Sequence, residues 1–195
     1  MIIATKNIGK AKDFEAIFKP YGFEVLTLHD VADDMDVEET GKTFEENAIL
    51  KAEALAVRLQ TIVLADDSGL AIDALDGAPG AYSARYAGKE KSDEANMEKV
   101  LKELANVEDE KRTARFCCAI ALAGPNLKTK TVFATCEGMI AKEKKGTNGF
   151  GYDPIFYVPT LGKMMAELQS SEKAEISHRG NAIKKIEEIL PNLLK

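Results

Sequence analysis

Apolar positions along the chain predict short buried strands that alternate with amphipathic helices. Residues 62–65 form an apolar run rich in β-branched residues, which is typical of a buried strand that stops at the acids that follow. Residues 1–5 and 23–28 predict two more strands, and the alternating pattern at residues 70–75 predicts a further one. An α/β architecture is therefore expected.

The clearest strand pattern lies in the second half of the chain. Apolar and other residues alternate through residues 112–123 and again through residues 130–141. A turn that begins at Gly124 joins the two runs, so the pair is predicted to be a hairpin. Because a long hairpin is antiparallel, we expect a mixed sheet rather than a purely parallel one.

Helices are predicted where apolar residues recur with a period near 3.6. Thr43 and Glu46 form a capping box before one of them, and Ser177 is a plausible N-cap before the last. The sequence contains no repeats or linkers, which predicts a single domain over residues 1–195. The predicted helical segments are residues 11–19, 44–58, 93–104, 163–168, a short one from residue 171, and 178–190.

Composition and charge narrow the classes of function. Of 195 residues, 45% are hydrophobic and 30% are charged, which is ordinary for a globular protein. No apolar run is long enough to cross a membrane and no signal peptide is recognisable, so a cytoplasmic protein without a membrane partner is expected. The net charge of −6 disfavours nucleic acid as a partner. Three cysteines without a Cys-x-x-Cys pair support neither a zinc site nor a disulfide framework.

Two adjacent carboxylates, Asp66 and Asp67, follow the strand predicted at residues 62–65. Side chains at the carboxyl ends of strands often line a functional crevice, and two acids there repel each other unless a cation lies between them. A tight turn is the alternative, since Ser68 and Gly69 are common turn residues. The pattern favours a metal site or a general base.

A basic loop follows the first predicted strand. The order of strand, loop and helix start at residues 5–10 is typical of a phosphate site, although the P-loop spacing is absent. Thr5, Asn7 and Lys10 carry the side chains placed to bind an anion there. Lys51 lies near the apolar stripe of its helix, either as a solvent-reaching side chain or as a phosphate ligand.

Two other segments have both structural and functional interpretations. The loop at residues 146–154 contains three glycines and two aromatic residues, so it is either a loop with hydrophobic anchors or a base-binding loop. His178 and Arg179 lie at a predicted helix start, where an anion or a carbonyl oxygen is favoured.

Together these motifs resemble the inosine/xanthosine triphosphate pyrophosphatase family. The match covers nearly the whole chain in the family's order, and the ordered set is far more specific than any single motif. Lys6 is one departure, because bacterial members often have a small residue there. The motifs are Ala4-Thr5-Lys6-Asn7-Ile8-Gly9-Lys10, Thr43-Phe44-Glu45-Glu46-Asn47-Ala48-Ile49-Leu50-Lys51-Ala52, Ala65-Asp66-Asp67-Ser68-Gly69-Leu70, Gly77-Ala78-Pro79-Gly80, Tyr82-Ser83-Ala84-Arg85-Tyr86, Gly149-Phe150-Gly151-Tyr152-Asp153-Pro154 and Ser177-His178-Arg179-Gly180.

The resemblance implies roles for particular residues. Asp67 would be the catalytic carboxylate and a metal ligand, with Glu39 as the second ligand and Glu38 as the alternative. The metal would be Mg²⁺, with Mn²⁺ as a possible substitute. The purine nucleoside triphosphate would be bound by Thr5, Lys6, Asn7, Ile8, Gly9, Lys10, Lys51, Ser68, Phe150, Gly151, Tyr152, Asp153, Lys173, His178 and Arg179.

The resemblance also implies a fold and an activity. The fold would be a two-lobed α/β structure with a long mixed central sheet flanked by helices and a cleft between the lobes. The activity would be hydrolysis of ITP, dITP and XTP to the monophosphate and pyrophosphate, carried out by a homodimer. Three alternatives stay open: a non-catalytic nucleotide sensor, a phosphatase with an aspartyl nucleophile, and a pyrophosphatase for modified pyrimidines.

Overall fold

The computed structural model describes residues 2–5, 8–18, 26–28, 30 and 37–193, without the side chains of residues 13, 16–18 and 190–193. Two predictions therefore fall wholly or partly outside it. Lys6 and Asn7 of the basic loop lie outside the described residues, and so do residues 23–25 of the strand predicted at residues 23–28. Of that strand, Leu26 forms an isolated parallel bridge with Ile2.

The described residues form a six-stranded mixed sheet in which the strands follow chain order. Strand β1 pairs with β2 in parallel, and every later pair is antiparallel. The predicted hairpin is confirmed as β3 and β4, because their alternating patterns suit a ribbon with two faces. The strands are β1 (Ile2–Ile3), β2 (Val63–Ile72), β3 (Thr113–Gly124), β4 (Leu127–Ile140), β5 (Phe156–Val158) and β6 (Lys163–Met164).

Five α-helices flank the sheet in the part of the chain described. The capping box before α2 is confirmed, since Thr43 Oγ1 accepts a hydrogen bond from the Glu46 N–H at 3.1 Å. The helix predicted at residues 163–168 is wrong, because β6 pairs there with β5 and a short 3-10 turn follows. The helices are α1 (Ile8–Phe18), α2 (Phe44–Leu59), α3 (Asp93–Glu103), α4 (Ser170–Ile176) and α5 (His178–Leu193).

Strand β2 does not stop at its two acids, contrary to the prediction. It runs through Asp66 and Asp67 to Ile72, and β3 pairs with it along this whole length. The strand predicted separately at residues 70–75 is therefore the end of β2, followed by a 3-10 turn. The strand that stops is β1, whose pairing ends opposite Leu64. Between Leu64 and Ala71, where Pro79 forms an isolated bridge, this edge of β2 has no strand beside it among the described residues.

Helices cover both faces of β2 near its acids. Helix α2 packs its small residues Ala48 and Ala52 against Ala65, which shares a face of β2 with Asp67. Phe14 of α1 and Ile183 of α5 pack on the opposite face, which carries Asp66. A third apolar cluster joins α3 to the far ends of β2, β3 and β4 and forms the second lobe. Within the described residues, no helix combines the length and the apolar character that crossing a membrane requires.

Candidate functional site

A cavity of about 430 Å³ opens beside the edge of β2 that β1 leaves uncovered. Asp66 and Asp67 both line it, although neighbouring residues of a strand point to opposite faces. Because no further strand lies beside this edge in the described part of the chain, side chains from both faces reach the same space. Its volume suits a small-molecule ligand.

Asp66 is bound by cations on the face of α1 and α5. Its carboxylate lies 3.0 Å from Lys10 Nζ and 3.6 Å from Arg179 Nη2, and it accepts a hydrogen bond from Ser68 Oγ at 3.0 Å. Its side chain is 1% exposed, and burial alone would raise the pKa of Asp66. The charges of Lys10, Arg179 and Lys51 outweigh burial and hold this pKa far below its usual value. Asp66 is therefore an anion at neutral pH.

Asp67 faces α2 and has a different environment. Lys51 Nζ lies 3.1 Å from Asp67 Oδ1, and Asn47 Nδ2 donates to Oδ2 at 3.2 Å. Burial raises the pKa of Asp67 above its usual value, although Lys51 and Lys10 oppose that shift. The two neighbouring carboxylates thus differ in pKa because they face different sides of the sheet.

Lys51 joins Asp67 to the acidic segment that precedes α2. Its ammonium also lies 2.9 Å from Glu39 Oε1, and Arg85 Nη1 lies 3.6 Å from Glu39 Oε2. Burial would lower the pKa of Lys51, but the nearby carboxylates raise it, so the ammonium stays charged. Burial would likewise raise the pKa of Glu39, yet Lys51 keeps it below its usual value. Glu38 is exposed and does not line the cavity.

Glu39 and Asp67 are suited to a hard divalent cation. Both carboxylates contact one ammonium, so the space between them already accommodates positive charge. Among the described residues there is no cluster of three or more His, Cys, Asp or Glu side chains that could hold a metal. Two carboxylates fit Mg²⁺, which usually keeps several waters and takes its other ligands from substrate phosphates.

The opposite wall of the cavity is the loop at residues 149–153. Asp153 Oδ2 lies 2.6 Å from Lys173 Nζ and accepts the Phe150 N–H at 3.0 Å. Gly149 has a φ of +80°, and a Cβ there would lie 1.9 Å from Asp153 Oδ2, so only glycine fits. Lys173 Nζ lies 5.0 Å from the centre of the Phe150 ring. The ion pair therefore holds the loop and its aromatic ring against α4.

His178 and Arg179 lie at the start of α5, beside the same wall. The His178 ring stacks on Phe116 with 4.9 Å between centres, and its Nδ1 has no hydrogen-bond partner among the described residues. Burial and the charges of Arg179 and Lys173 hold the pKa of His178 well below its usual value, so the ring is neutral. Arg179 donates from Nη2 to Ser68 Oγ at 3.0 Å.

Most of the predicted site residues meet in this cavity. Gly9 packs against Phe150, since a Cβ on Gly9 would lie 2.5 Å from the ring. Ile8 is 67% exposed and is not among the residues of the cavity wall. The predicted residues that line the cavity are Thr5, Lys10, Glu39, Lys51, Asp67, Ser68, Phe150, Gly151, Tyr152, Asp153, Lys173, His178 and Arg179.

Two residues at the acidic end were not assigned a role from the sequence. Arg85 contacts Glu39 and lines the cavity, and its position between two tyrosines in a loop was the available signal. Asn47 contacts Asp67 from α2. A polar residue four positions before Lys51 on the same helix face could have indicated it.

Comparison with known proteins identifies relatives along nearly the entire chain. The model of the Ham1 family matches residues 1–189. The dITP/XTP pyrophosphatase of Bacillus anthracis is 56% identical over 193 residues, which cover 98% of this chain and 96% of the relative. The dITP/XTP pyrophosphatase of Bacillus subtilis (strain 168) is 56% identical over 189 residues, which cover 97% and 96%.

Solved structures agree with these relatives. The Ham1 protein of Staphylococcus aureus superposes with a TM-score of 0.87 at 52% identity, and the match covers 98% of each chain. A HAM1 protein from Coxiella burnetii superposes with a TM-score of 0.86 at 41% identity and the same coverage. This chain therefore resembles both proteins in fold and in sequence.

Asp66→Asn is expected to destabilise the fold. The change removes the buried charge that compensates Lys10 and Arg179, and breaking a buried ion pair costs about 3–5 kcal/mol. Urea unfolding at pH 7 measures the loss. Asp73→Asn is the control, because its ion pair with Arg115 is largely exposed and should contribute about 1 kcal/mol or less. Equal losses in the two variants would contradict the assignment.

The pH dependence of this difference follows from the lowered pKa of Asp66. A depressed native pKa contributes stability above the unfolded pKa of about 3.9, and the contribution is lost as the pH falls toward the native value. The gap in unfolding free energy between parent and Asp66→Asn should therefore be constant from pH 8 to pH 5 and should narrow below about pH 4. A gap that widens on acidification would refute this account.

Proposed function

This chain belongs to the Ham1 family, and we propose that it hydrolyses deaminated purine nucleoside triphosphates to the monophosphate and pyrophosphate. It is a nucleoside-triphosphate pyrophosphatase, and its substrates are ITP, dITP and XTP. The observation that carries the proposal is a single cavity with two chemically different ends. Lysines and carboxylates lie at one end, and an aromatic ring with buried polar side chains lies at the other.

The lysine end suits the triphosphate. Lys10 and Lys51 enter the cavity from two helices on opposite faces of the sheet, so their charges approach a bound chain of phosphates from two sides. Thr5 lies just before the start of α1, where backbone N–H groups favour an anion. We assign these residues to phosphate binding, together with Lys6 and Asn7, which precede α1 in the sequence, and Ile8 and Gly9, which begin it.

Glu39 and Asp67 would hold Mg²⁺, with Mn²⁺ as a possible substitute. When bound, the metal supplies charge neutralisation and a polarised phosphoryl oxygen. The carboxylates are buried or half-buried, and each contacts the Lys51 ammonium. Their oxygens are the ligand type that Mg²⁺ prefers.

Asp67 is also the residue that takes a proton from the attacking water. Its pKa is raised by burial, which makes its carboxylate a stronger base than an exposed aspartate. The water oxygen forms a bond to the α-phosphorus, and the bond from that phosphorus to the bridging oxygen breaks. The electron pair leaves with pyrophosphate, and the proton passes to Asp67. Asp66 stays ionised throughout and holds Lys10 in place.

The aromatic end would bind the base. Phe150 offers a ring for stacking, and Gly151, Tyr152 and Asp153 follow it in the cavity wall. Ser68 lines the same cavity and accepts a hydrogen bond from Arg179. A 6-keto purine presents an acceptor where adenine presents an amine, so a donor in this wall favours hypoxanthine and xanthine. Lys173 and Arg179 already contact Asp153 and Ser68. His178 is the neutral side chain here whose Nδ1 has no partner in the described structure.

The assembly and location complete the proposal. The residues 1–195 would form one domain, two copies would form a homodimer, and the protein would act in the cytoplasm on free nucleotides. The homodimer is what the family resemblance implies, whereas the single domain and the cytoplasmic location are expectations from the sequence.

The products test the bond that is cleaved. Attack at the α-phosphorus should release pyrophosphate and IMP from ITP in equal amounts. Ion-exchange chromatography of the nucleotides, with separate assays for pyrophosphate and phosphate, measures both. Single phosphate accompanied by IDP would refute the proposal.

Asp67→Asn should lower kcat for ITP by about two to four orders of magnitude, because it removes a base and a metal ligand while keeping the side-chain shape. Steady-state assays at fixed Mg²⁺ measure the change, and thermal melting checks the fold. The matched control is Asp73→Asn, because Asp73 directly follows the end of β2 and is not among the residues that line the cavity. Near-parental turnover in a folded Asp67→Asn variant would show that the carboxylate is not central.

His178→Phe should narrow the preference for ITP over ATP. Phenylalanine keeps the stack on Phe116 and removes the ring nitrogens, so kcat/KM for ITP should fall about tenfold while that for ATP changes little. Paired assays with both nucleotides give the ratio. Arg179→Ala is less suitable, because it also removes contacts to Ser68 and Asp66. If the ratio of kcat/KM for ITP to that for ATP does not change, His178 is not the discriminating donor. The donor would then be Lys173, Arg179 or a backbone group of residues 150–153.

A further inference from the structure

Asn47 is a buried amide on the side of α2 that packs against the sheet, next to small apolar residues. Its side chain is 1% exposed, and it precedes Ala48 and Ala52, which pack against the sheet. Asparagine has a lower helix propensity than alanine, so local structure does not favour it in the first turns of α2. Most buried polar groups in proteins are hydrogen-bonded, so the partners of the Asn47 amide indicate why it is there.

The two ends of the Asn47 amide bind two different parts of the acidic site. Oδ1 accepts a hydrogen bond from the Gly41 N–H at 2.8 Å. Nδ2 donates to Asp67 Oδ2 at 3.2 Å. The side chain therefore connects the segment that carries Glu39, two residues before Gly41, to the carboxylate on β2.

The Glu39 segment is held closely against the start of α2. Glu46 Oε2 accepts the N–H groups of Lys42 and Thr43, at 2.6 and 3.2 Å. Gly41 has no side chain, so its backbone can approach Asn47 closely. A Cβ on Gly41 would lie only 2.6 Å from Asn47 Oδ1. The absence of that Cβ is what permits the contact between Gly41 and Asn47.

Asn47 and Lys51 lie four residues apart on α2 and so share one face of the helix. Lys51 contacts Asp67 Oδ1, and Asn47 contacts Oδ2. A carboxylate with a donor on each oxygen cannot rotate without losing one of them. Lys51 also contacts the Glu39 carboxylate directly. Asn47 binds the backbone of Gly41, two residues after Glu39.

We infer that Asn47 is a positioning residue that holds Glu39 and Asp67 at the separation and orientation needed to bind a divalent cation. The inference rests on the proposed function, because that function assigns the two carboxylates to the metal. Asn47 itself does not contact the metal in this account. It acts through Asp67 and through the backbone at Gly41.

Asn47→Leu tests the inference, because leucine has a similar size and makes neither hydrogen bond. Mn²⁺ binding without nucleotide is measured directly, from the electron paramagnetic resonance signal of free Mn²⁺. The variant should bind Mn²⁺ at least about tenfold more weakly than the parent, as found when residues that orient metal ligands are lost. The Mg²⁺ concentration for half-maximal hydrolysis of ITP should rise by a similar factor.

Asn96→Leu is the matched control. Asn96 is another buried asparagine whose amide is satisfied by backbone groups, accepting from the Ala87 N–H and donating to the carbonyls of Ser83 and Ala84. It lies in α3 and does not line the cavity. Its replacement should lower the melting temperature without changing Mn²⁺ affinity.

Gly41→Ala tests the same contact from the other side and covers the case in which Asn47→Leu does not fold. The added methyl displaces Asn47 Oδ1, so Mn²⁺ binding should again weaken. If both changes act through one contact, the double variant should lose less affinity than the two single losses combined.

Parental Mn²⁺ affinity in folded Asn47→Leu or Gly41→Ala would overturn the inference, and so would a parent that binds no Mn²⁺ without nucleotide. An equal loss in Asn96→Leu would also overturn it, because the effect would then be general destabilisation. Release of pyrophosphate from ITP by the parent is assayed separately. That result decides the proposed function, whatever the asparagine variants show.

Discussion

In the pairing of β1 with β2, Ile2 lies opposite Val63 and Ile3 lies opposite Leu64. The candidate site depends on the end of this pairing. Beyond Leu64, β3 still holds β2 on one side, while the other edge borders the cavity. The two acids therefore stay within a regular strand and yet remain accessible to a ligand. A strand positions side chains more accurately than a loop, which suits a reaction that needs fixed distances between charges.

Asp66 and Asp67 are adjacent in sequence, but their carboxylates lie on opposite faces of β2. Asp66 faces Lys10 and Arg179, and its pKa is lowered, whereas burial raises the pKa of Asp67 beside Lys51. Neighbouring acids with pKa values shifted in opposite directions can take different roles. We assign Asp66 to holding cations in place and Asp67 to proton transfer. Buried ion pairs add little net stability, so their presence fits a functional role, while the apolar clusters stabilise the fold.

Ser68 connects the two ends of the cavity. Its hydroxyl donates to Asp66 and accepts from Arg179, which lies beside the wall that would bind the base. The Lys173–Asp153 ion pair then holds the loop that carries Phe150. Arg179, beside the wall that would bind the base, and Lys10, at the end that would bind phosphates, are thus connected through Ser68 and Asp66. A substitution at Arg179 should for this reason affect both ends, which is why His178 is the better probe of base choice.

The sequence by itself determined the elements whose signals are local. The Thr43–Glu46 capping box begins α2 and the alternation after Arg112 forms the hairpin, because a few neighbouring residues decide each of them. Most of the site residues that the resemblance indicated also line the cavity. Only the tertiary structure decided that β2 continues past its acids, that residues 163–164 form a strand, and that Lys51 lies between Glu39 and Asp67. Each of these features depends on pairing or packing between segments that are far apart in sequence. The pattern of neighbouring residues does not specify such contacts.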